Sequence, residues 1–169
     1  RKNVLPLCGK PLLAWTVETA RAAERVDRVV VSTDDAEIAA VSERLGAEVI
    51  ERPAGISGDL SSSEEALIHV LQELKRREGD VPDTVVFLQC TAPLTQSEDI
   101  DRTIHLLTSE NADSALAVVD FHYFLWRRDA EGNANGVNHE KNARKMRQEL
   151  EPQFLEAGAV YAMRTAGFL

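Results

Sequence analysis

Short apolar runs that alternate with helical patterns restrict this chain to few architectures. The clearest run is "DRVVVST", a continuous β-branched stretch of the kind buried on both faces of a sheet. Residues 34–45 follow, with Ile38, Val41 and Leu45 at spacings of three and four, and Gly46 stands where a helix stops. "AEVIE" reads as a second strand. "SSSEEALIHVLQELKRRE" then offers two capping boxes, Ser61 with Glu64 and Ser62 with Glu65. Behind them runs an apolar stripe of Leu67, Val70, Leu71 and Leu74, and basic residues close the last turn. "TVVFLQ" is a further buried strand. Ile100, Ile104 and Leu107 form the inward stripe of a helix beginning near Ser97. "SALAVV" and "AGAVYAM" complete the strands, with Gly158 at the start of the last one.

Strand and helix in alternation, with short connections, predict an α/β fold built on right-handed crossovers. The sheet is expected to be mainly parallel, with helices on both faces. Ligands in such sheets bind beyond the carboxyl ends of the strands. The segments that matter are therefore "STDD", "ERPAGISGD", "QCTAPLT" and "VDFHYF". No internal repeat is present.

A chain of 169 residues is expected to form one domain, 1–169, with a core of its own. Apolar residues at 44% and charged residues at 28% fit a soluble globular protein. No apolar run is long enough to span a membrane. Cys8 and Cys90 both lie among apolar residues and are expected to be buried, reduced thiols, as in a cytoplasmic protein. His69, His105, His122 and His139 show no zinc-binding spacing. The net charge of −9 argues against nucleic acid as a partner, since no basic excess exists to displace counterions. An anionic small molecule is not excluded, but the cations that hold it must be concentrated locally.

Arg1, Lys2 and Lys10 place three cations in the first ten residues, ahead of a Gly9-Lys10-Pro11 turn and a helix expected over 12–24 with Pro11 in its first position. A solvated terminus is the plain alternative. Arg52 follows a strand and precedes Pro53, and two glycines and three serines then lead to a helix N-terminus. Backbone N–H groups, hydroxyls and a guanidinium converging there suit a planar ligand such as a nucleobase with its ribose. Simple capping accounts equally well for Ser61 and Ser62. Gln89 ends a central strand, where a partly desolvated amide needs partners from backbone or ligand. Arg147 and Gln148 lie outside any apolar periodicity, and an Arg there suits a carboxylate, although a solvated loop Arg is the common outcome. Residues 127–156 are polar, rich in Asn and Gly, and read as a long surface loop, a lid, or an arm that contacts another subunit.

In this order, "RKNVLPLCGKPLLAWTVETA", "DRVVVSTDDAEIA", "ERPAGISGDLSSSEEALIHVL", "FLQCTAPLTQSEDI" and "RQELEPQFLEAGAVYAM" resemble the acylneuraminate cytidylyltransferases, or CMP-sialic acid synthetases. The resemblance implies a Rossmann-like nucleotidyltransferase domain of GT-A-like type, a three-layer sandwich. It also implies that the family's first strand and phosphate-binding loop precede Arg1 and that its metal-binding aspartates follow Leu169, so the chain is expected to lack both ends of the domain. Under it, Arg1 and Lys2 face the CTP phosphates and Asn3 the cytosine. Arg52 and Ser63 read the base with help from the backbone at Ser61. Gln89, Arg147, Gln148 and Tyr161 hold the acid sugar, Arg147 through its carboxylate, and Lys2, Gln89 and Arg147 carry catalysis. Asp34 is expected to cap a helix. Mg²⁺ is the implied cofactor, with no ligand assigned within this chain. Residues 127–156 match the dimerisation arm, which implies a homodimer.

The implied reaction joins CTP to an N-acylneuraminate or related nonulosonic acid, releasing pyrophosphate. Cys90, Ala92 and Tyr123 depart from the family pattern. The eight-carbon Kdo synthetases are the nearest alternative, but they carry "QGDEP" where this chain has "QCTAP". A non-catalytic nucleotide-sugar binding module is the alternative of another class, and a hydrolase using Asp34 and Asp35 a weaker third.

Overall fold

The computed structural model describes residues 2–58, 60–143 and 145–168, and the side chains of Arg147 and Phe168 fall outside that description. The chain opens with a 3₁₀ turn, Lys2–Val4, and a small antiparallel hairpin of β1 (Pro6–Leu7) and β2 (Lys10–Pro11). Its turn is Cys8-Gly9, with both residues at positive φ (51° and 91°), not the expected Gly9-Lys10-Pro11. Trp15 Nε1 donates to Leu7 O at 3.0 Å and fastens the hairpin to α1 (Leu12–Ala22). Pro11 is the N-cap of α1 and not its first turn, and the helix stops two residues short of Glu24, where Asp101 accepts hydrogen bonds from the N–H groups of Glu24 and Arg25.

The alternation read from the sequence is present next: β3 (Val30–Thr33), α2 (Ala36–Arg44), β4 (Glu48–Glu51), α3 (Ser63–Glu78), β5 (Thr84–Leu88) and α4 (Ser97–Ser109). Gly46 sits at φ +78 just beyond α2, which a residue with a side chain adopts only with strain. Of the two capping boxes offered before α3, Ser62 with Glu65 forms, and Gly79 ends that helix at φ +83. After α4 come β6 (Ser114–Phe121), β7 (Trp126–Arg128), β8 (Ala134–Gly136), a 3₁₀ turn at Arg147–Glu149, β9 (Gln153–Arg164) and α5 (Thr165–Phe168).

The mainly parallel sheet is only partly present. β3 and β4 pair in parallel, but β5 and β9 pair antiparallel, Leu88 opposite Val160 and Phe87 opposite Tyr161. Between β6 and β9 no helix of the crossover kind intervenes, so the chain returns by a hairpin-containing excursion, and β9 runs against β5. The sheet is in pieces, ordered β3-β4 and β5-β9-β6. One edge of β3 and one edge of β5 have no partner strand among the described residues. Both strands border a cavity of about 610 Å³ walled by Val30, Val70, Leu71, Val86 and Ile104.

Two apolar clusters hold these pieces together, and α1 contributes to both. Its Leu13 and Val17 pack with Val41 and Ala47, against Val31 of β3. One turn on, Ala20 and Ala23 pack with Ile100, Ile104 and Leu107 of α4 over Val160 and Ala162 of β9. Leu13, Ile100 and Leu107 are wholly buried, as their spacings predict. Truncating a side chain so enclosed typically costs about 2–5 kcal/mol.

The chain forms two compact units, residues 1–117 with 158–169, and Val118–Ala157. The second holds the polar stretch 127–156, which is not structureless: β7 and β8 pair antiparallel, Trp126 opposite Gly136. Within it, Asn138 donates to Tyr123 O and to Gln153 Oε1 while accepting from Leu125 N–H.

Candidate active site

At the carboxyl end of β4, Arg52 continues the parallel ladder through its N–H to Thr33 O at 2.9 Å. Its guanidinium turns back onto β3, where Nη2 donates to Ser32 O at 2.5 Å. Arg52 Nε is buried with no hydrogen-bond partner, and so are Ser32 Oγ, on the adjoining strand, and Asn3 Oδ1. A buried donor or acceptor left unpaired costs about 1–3 kcal/mol, and native proteins leave few. Ser32 was not among the residues expected from the sequence. A hydroxyl directly after Val30 and Val31, near the end of the strand, was the available signal.

The loop after Arg52 is internally tied. Ser61 N–H donates to Gly58 O, and Ser61 Oγ accepts from Gly58 N–H. The Ser61 N–H and hydroxyl are therefore engaged within their own loop. Ser63 is the exposed first residue of α3.

At the end of β5, Gln89 N–H donates to Ala159 O at 3.2 Å, extending the antiparallel ladder by one step. Alternation then puts its side chain on the face of Phe87, and cross-strand pairing puts Tyr161 there too. The Phe87 and Tyr161 rings lie 6.0 Å apart. Gln89 and Tyr161, expected together, do share one face. The half-buried Gln89 amide has no partner among the described residues. Cys90, next along, packs against the cluster of Leu13, Val17, Val41 and Ala47, as Val4 does, and burial pushes its thiol above the usual range. The same apolar cluster thus anchors the residue after Gln89 and the residue after Asn3.

The remaining expected residues divide. Lys2 is exposed on the first 3₁₀ turn. Lys10 is committed locally, paired with Glu18 and 3.7 Å from the centre of the Trp15 ring. Arg1 lies outside the described residues, as does the Arg147 side chain. Gln148 belongs to the Val118–Ala157 unit, where its amide approaches Met146 Sδ. The cap of α2 is Asp35, whose Oδ1 accepts from Glu37 and Ile38 N–H, and not Asp34, because Thr33 Oγ1 takes the Asp35 N–H and closes the turn one residue later. Cys8 is exposed at the hairpin tip, not buried. Gly158 lies inside β9 and does not begin it. None of the expected site residues lines the cavity between β3 and β5. Among the described residues no group of three or more His, Cys, Asp or Glu is placed to hold a metal ion.

Residues 1–165 match the cytidylyltransferase family. The chain belongs to that family. It is 31% identical over 163 residues to "N-acylneuraminate cytidylyltransferase A" of Danio rerio, covering 95% of this chain and 37% of that protein. It is 29% identical over 164 residues to the "pseudaminic acid cytidylyltransferase" of Campylobacter jejuni, again over 95% of this chain and 70% of the relative. The cytidylyltransferase fold is similar to that of a solved CMP:2-keto-3-deoxy-manno-octonic acid synthetase complexed with CTP. The TM-score is 0.72 at 18% identity, over 99% of this chain and 68% of that one. This member of the family therefore spans little more than a third of the zebrafish relative's length. No helix among the described residues is long and apolar enough to cross a membrane.

Proposed function

We propose that this cytidylyltransferase activates a nine-carbon acid sugar, joining CMP from CTP to an N-acylneuraminate or related nonulosonic acid. The observation that carries this reading is that three of the six unpartnered buried polar atoms among the described residues are Asn3 Oδ1, Ser32 Oγ and Arg52 Nε, in a chain of this family; the others are Thr16 Oγ1, His69 Nδ1 and Thr165 Oγ1. Ser32 and Arg52 lie at the carboxyl ends of the parallel pair, where α/β sheets receive ligands. An acceptor, a hydroxyl and a cationic donor complement the mixed edge of a cytosine, which offers both an amine and acceptor atoms. The acid sugar is assigned to the next strand end, where the Gln89 amide and Tyr161 share a face.

The sugar's anomeric oxygen forms a bond to the α-phosphorus of CTP while the bond from that phosphorus to its β-bridging oxygen breaks. Pyrophosphate leaves and the hydroxyl proton is released. Both substrates are anions, so positioning and charge neutralisation dominate. Lys2 neutralises phosphate charge, Arg52 with Asn3 fixes the base, and Gln89 orients the sugar. Arg147 and Gln148 remain in this reading as sugar-binding residues on the family resemblance alone. Mg²⁺ belongs to it as a counter-ion to the phosphates. The Val118–Ala157 unit is assigned to contact with a second copy in a homodimer. Nine of the fifteen exposed large apolar residues described, Trp126 and Phe154 among them, lie in that unit, more than a solvated loop needs.

The test is pyrophosphate release from CTP by the full-length protein, offered N-acetylneuraminate, pseudaminic acid and Kdo in turn. Turnover is expected with a nine-carbon acid. Turnover with Kdo alone refutes the substrate class. Binding of CMP-sugar with CTP left intact refutes the enzyme.

A further inference from the structure

Gly158 breaks the pattern of its own strand. Along β9, Val160 and Ala162 are buried against α4, while Tyr161 faces the other way beside Phe87. Simple alternation sends position 158 to the side of Val160 and Ala162. Its φ of +63 overrides that alternation. A Cβ placed at 158 meets Gln89 Oε1 at 3.6 Å, and among the described residues, apart from its chain neighbours, nothing else lies within 4 Å. The space above Gly158 therefore opens onto one group, the Gln89 amide.

The kink falls where β5 ends. Leu88 is the last residue of β5 in register, opposite Val160, and Gln89 adds one backbone hydrogen bond to Ala159. The Gln89 main chain is thus held while its amide stays unpartnered. An amide presents N–H on one side and C=O on the other, so its rotation decides what it can bind.

We propose that Gly158 is a positioning residue for the acid-sugar substrate: its left-handed turn, free of a side chain, keeps the space in which the Gln89 amide takes its orientation. This rests on the assignment of Gln89 to the sugar. A Cβ at 158 makes ordinary contact with the amide, and a longer side chain directed at Gln89 enters the volume that the amide occupies.

The experiment uses the full-length protein with Gly158→Asn and Gly158→Ala, each made alone and with Gln89→Ala. Asn adopts the left-handed region more readily than other residues that carry a side chain, so it separates crowding from backbone strain. Gly158→Asn is expected to raise the acid-sugar KM about tenfold while the CTP KM moves less than about twofold, and to add less than about twofold once Gln89 is Ala. An equal loss in both backgrounds, or a matching rise in the CTP KM, overturns the inference. The side-chain amide resonances of Gln89, assigned by their disappearance in Gln89→Ala, give a readout independent of turnover. They shift in Gly158→Asn, or in Gly158→Ala if the Asn variant does not fold, and unmoved resonances overturn the inference. A parent protein that releases no pyrophosphate with any acid sugar sinks the proposed reaction instead, and the resonances still decide the role of Gly158.

Discussion

Arg52 brings a full positive charge to the candidate site and commits only part of it, Nη2 to Ser32 O, leaving Nε buried and unpaired. Ser32 is in the same condition through its hydroxyl. Such atoms cost stability in the free protein and repay it when a ligand pairs them. Ser32→Ala consequently has effects of opposite sign. It leaves the free protein as stable as the parent or slightly more so. It also weakens CTP binding by about 2–12-fold, the worth of one neutral hydrogen bond of about 0.5–1.5 kcal/mol. Thermal unfolding and calorimetric titration with CTP check both. A variant that loses stability and binds CTP normally makes Ser32 structural.

At the scale of elements, helix ends decide more than helix interiors. Asp35→Ala removes two hydrogen bonds from the first turn of α2 and is expected to cost about 1 kcal/mol, with Asp34→Ala near neutral, measured by urea unfolding. α3 carries a pH-dependent term. Arg76 and then Arg77 hold the Glu73 carboxyl down to about 2 from an ordinary 4.5. Because the folded value is depressed, this contribution is fully present above pH 4.5 and is lost as pH falls towards 2. Glu73→Gln therefore lowers the melting temperature slightly at pH 7, and its gap from the parent closes between about pH 4.5 and 2. A gap that does not change with pH removes these ion pairs from the account. Much of this level was legible in the sequence, since α2, α3 and α4 follow from apolar spacing and α2 also from its stop at Gly46. Which of Asp34 and Asp35 caps α2, and which serine caps α3, was not. Those outcomes turn on single hydrogen bonds, Thr33 Oγ1 to Asp35 N–H and Ser61 Oγ to Gly58 N–H, that no periodicity encodes.

For the whole molecule, the alternating pattern read correctly as far as α4 and then misled. "SALAVV" and "AGAVYAM" do form strands, but β9 pairs antiparallel to β5 in a sheet expected to be mainly parallel, because strand direction depends on the route between strands and not on local composition. Gln89 could be picked out from its place at the end of a strand, and Tyr161 from the family resemblance alone. Ser32 and the kink at Gly158 could not, since both depend on cross-strand geometry. The exposed aromatic and aliphatic residues of the Val118–Ala157 unit carry a separate expectation. Trp126→Glu with Phe154→Glu shifts the full-length protein from dimer to monomer in sedimentation equilibrium, and a parent that is monomeric at micromolar concentration contradicts the assignment.

The central claim is that two substrates are held at two different strand ends, the nucleotide by Arg52 after β4 and the sugar by Gln89 after β5. Steady-state kinetics of Arg52→Ala and Gln89→Ala in the full-length protein test it most directly. Arg52→Ala is expected to raise the CTP KM by about 10–150-fold, as losing a charged hydrogen bond of about 1.5–3 kcal/mol does, with the acid-sugar KM nearly unchanged. Gln89→Ala reverses the pattern. Equal increases in both constants from either substitution contradict the account.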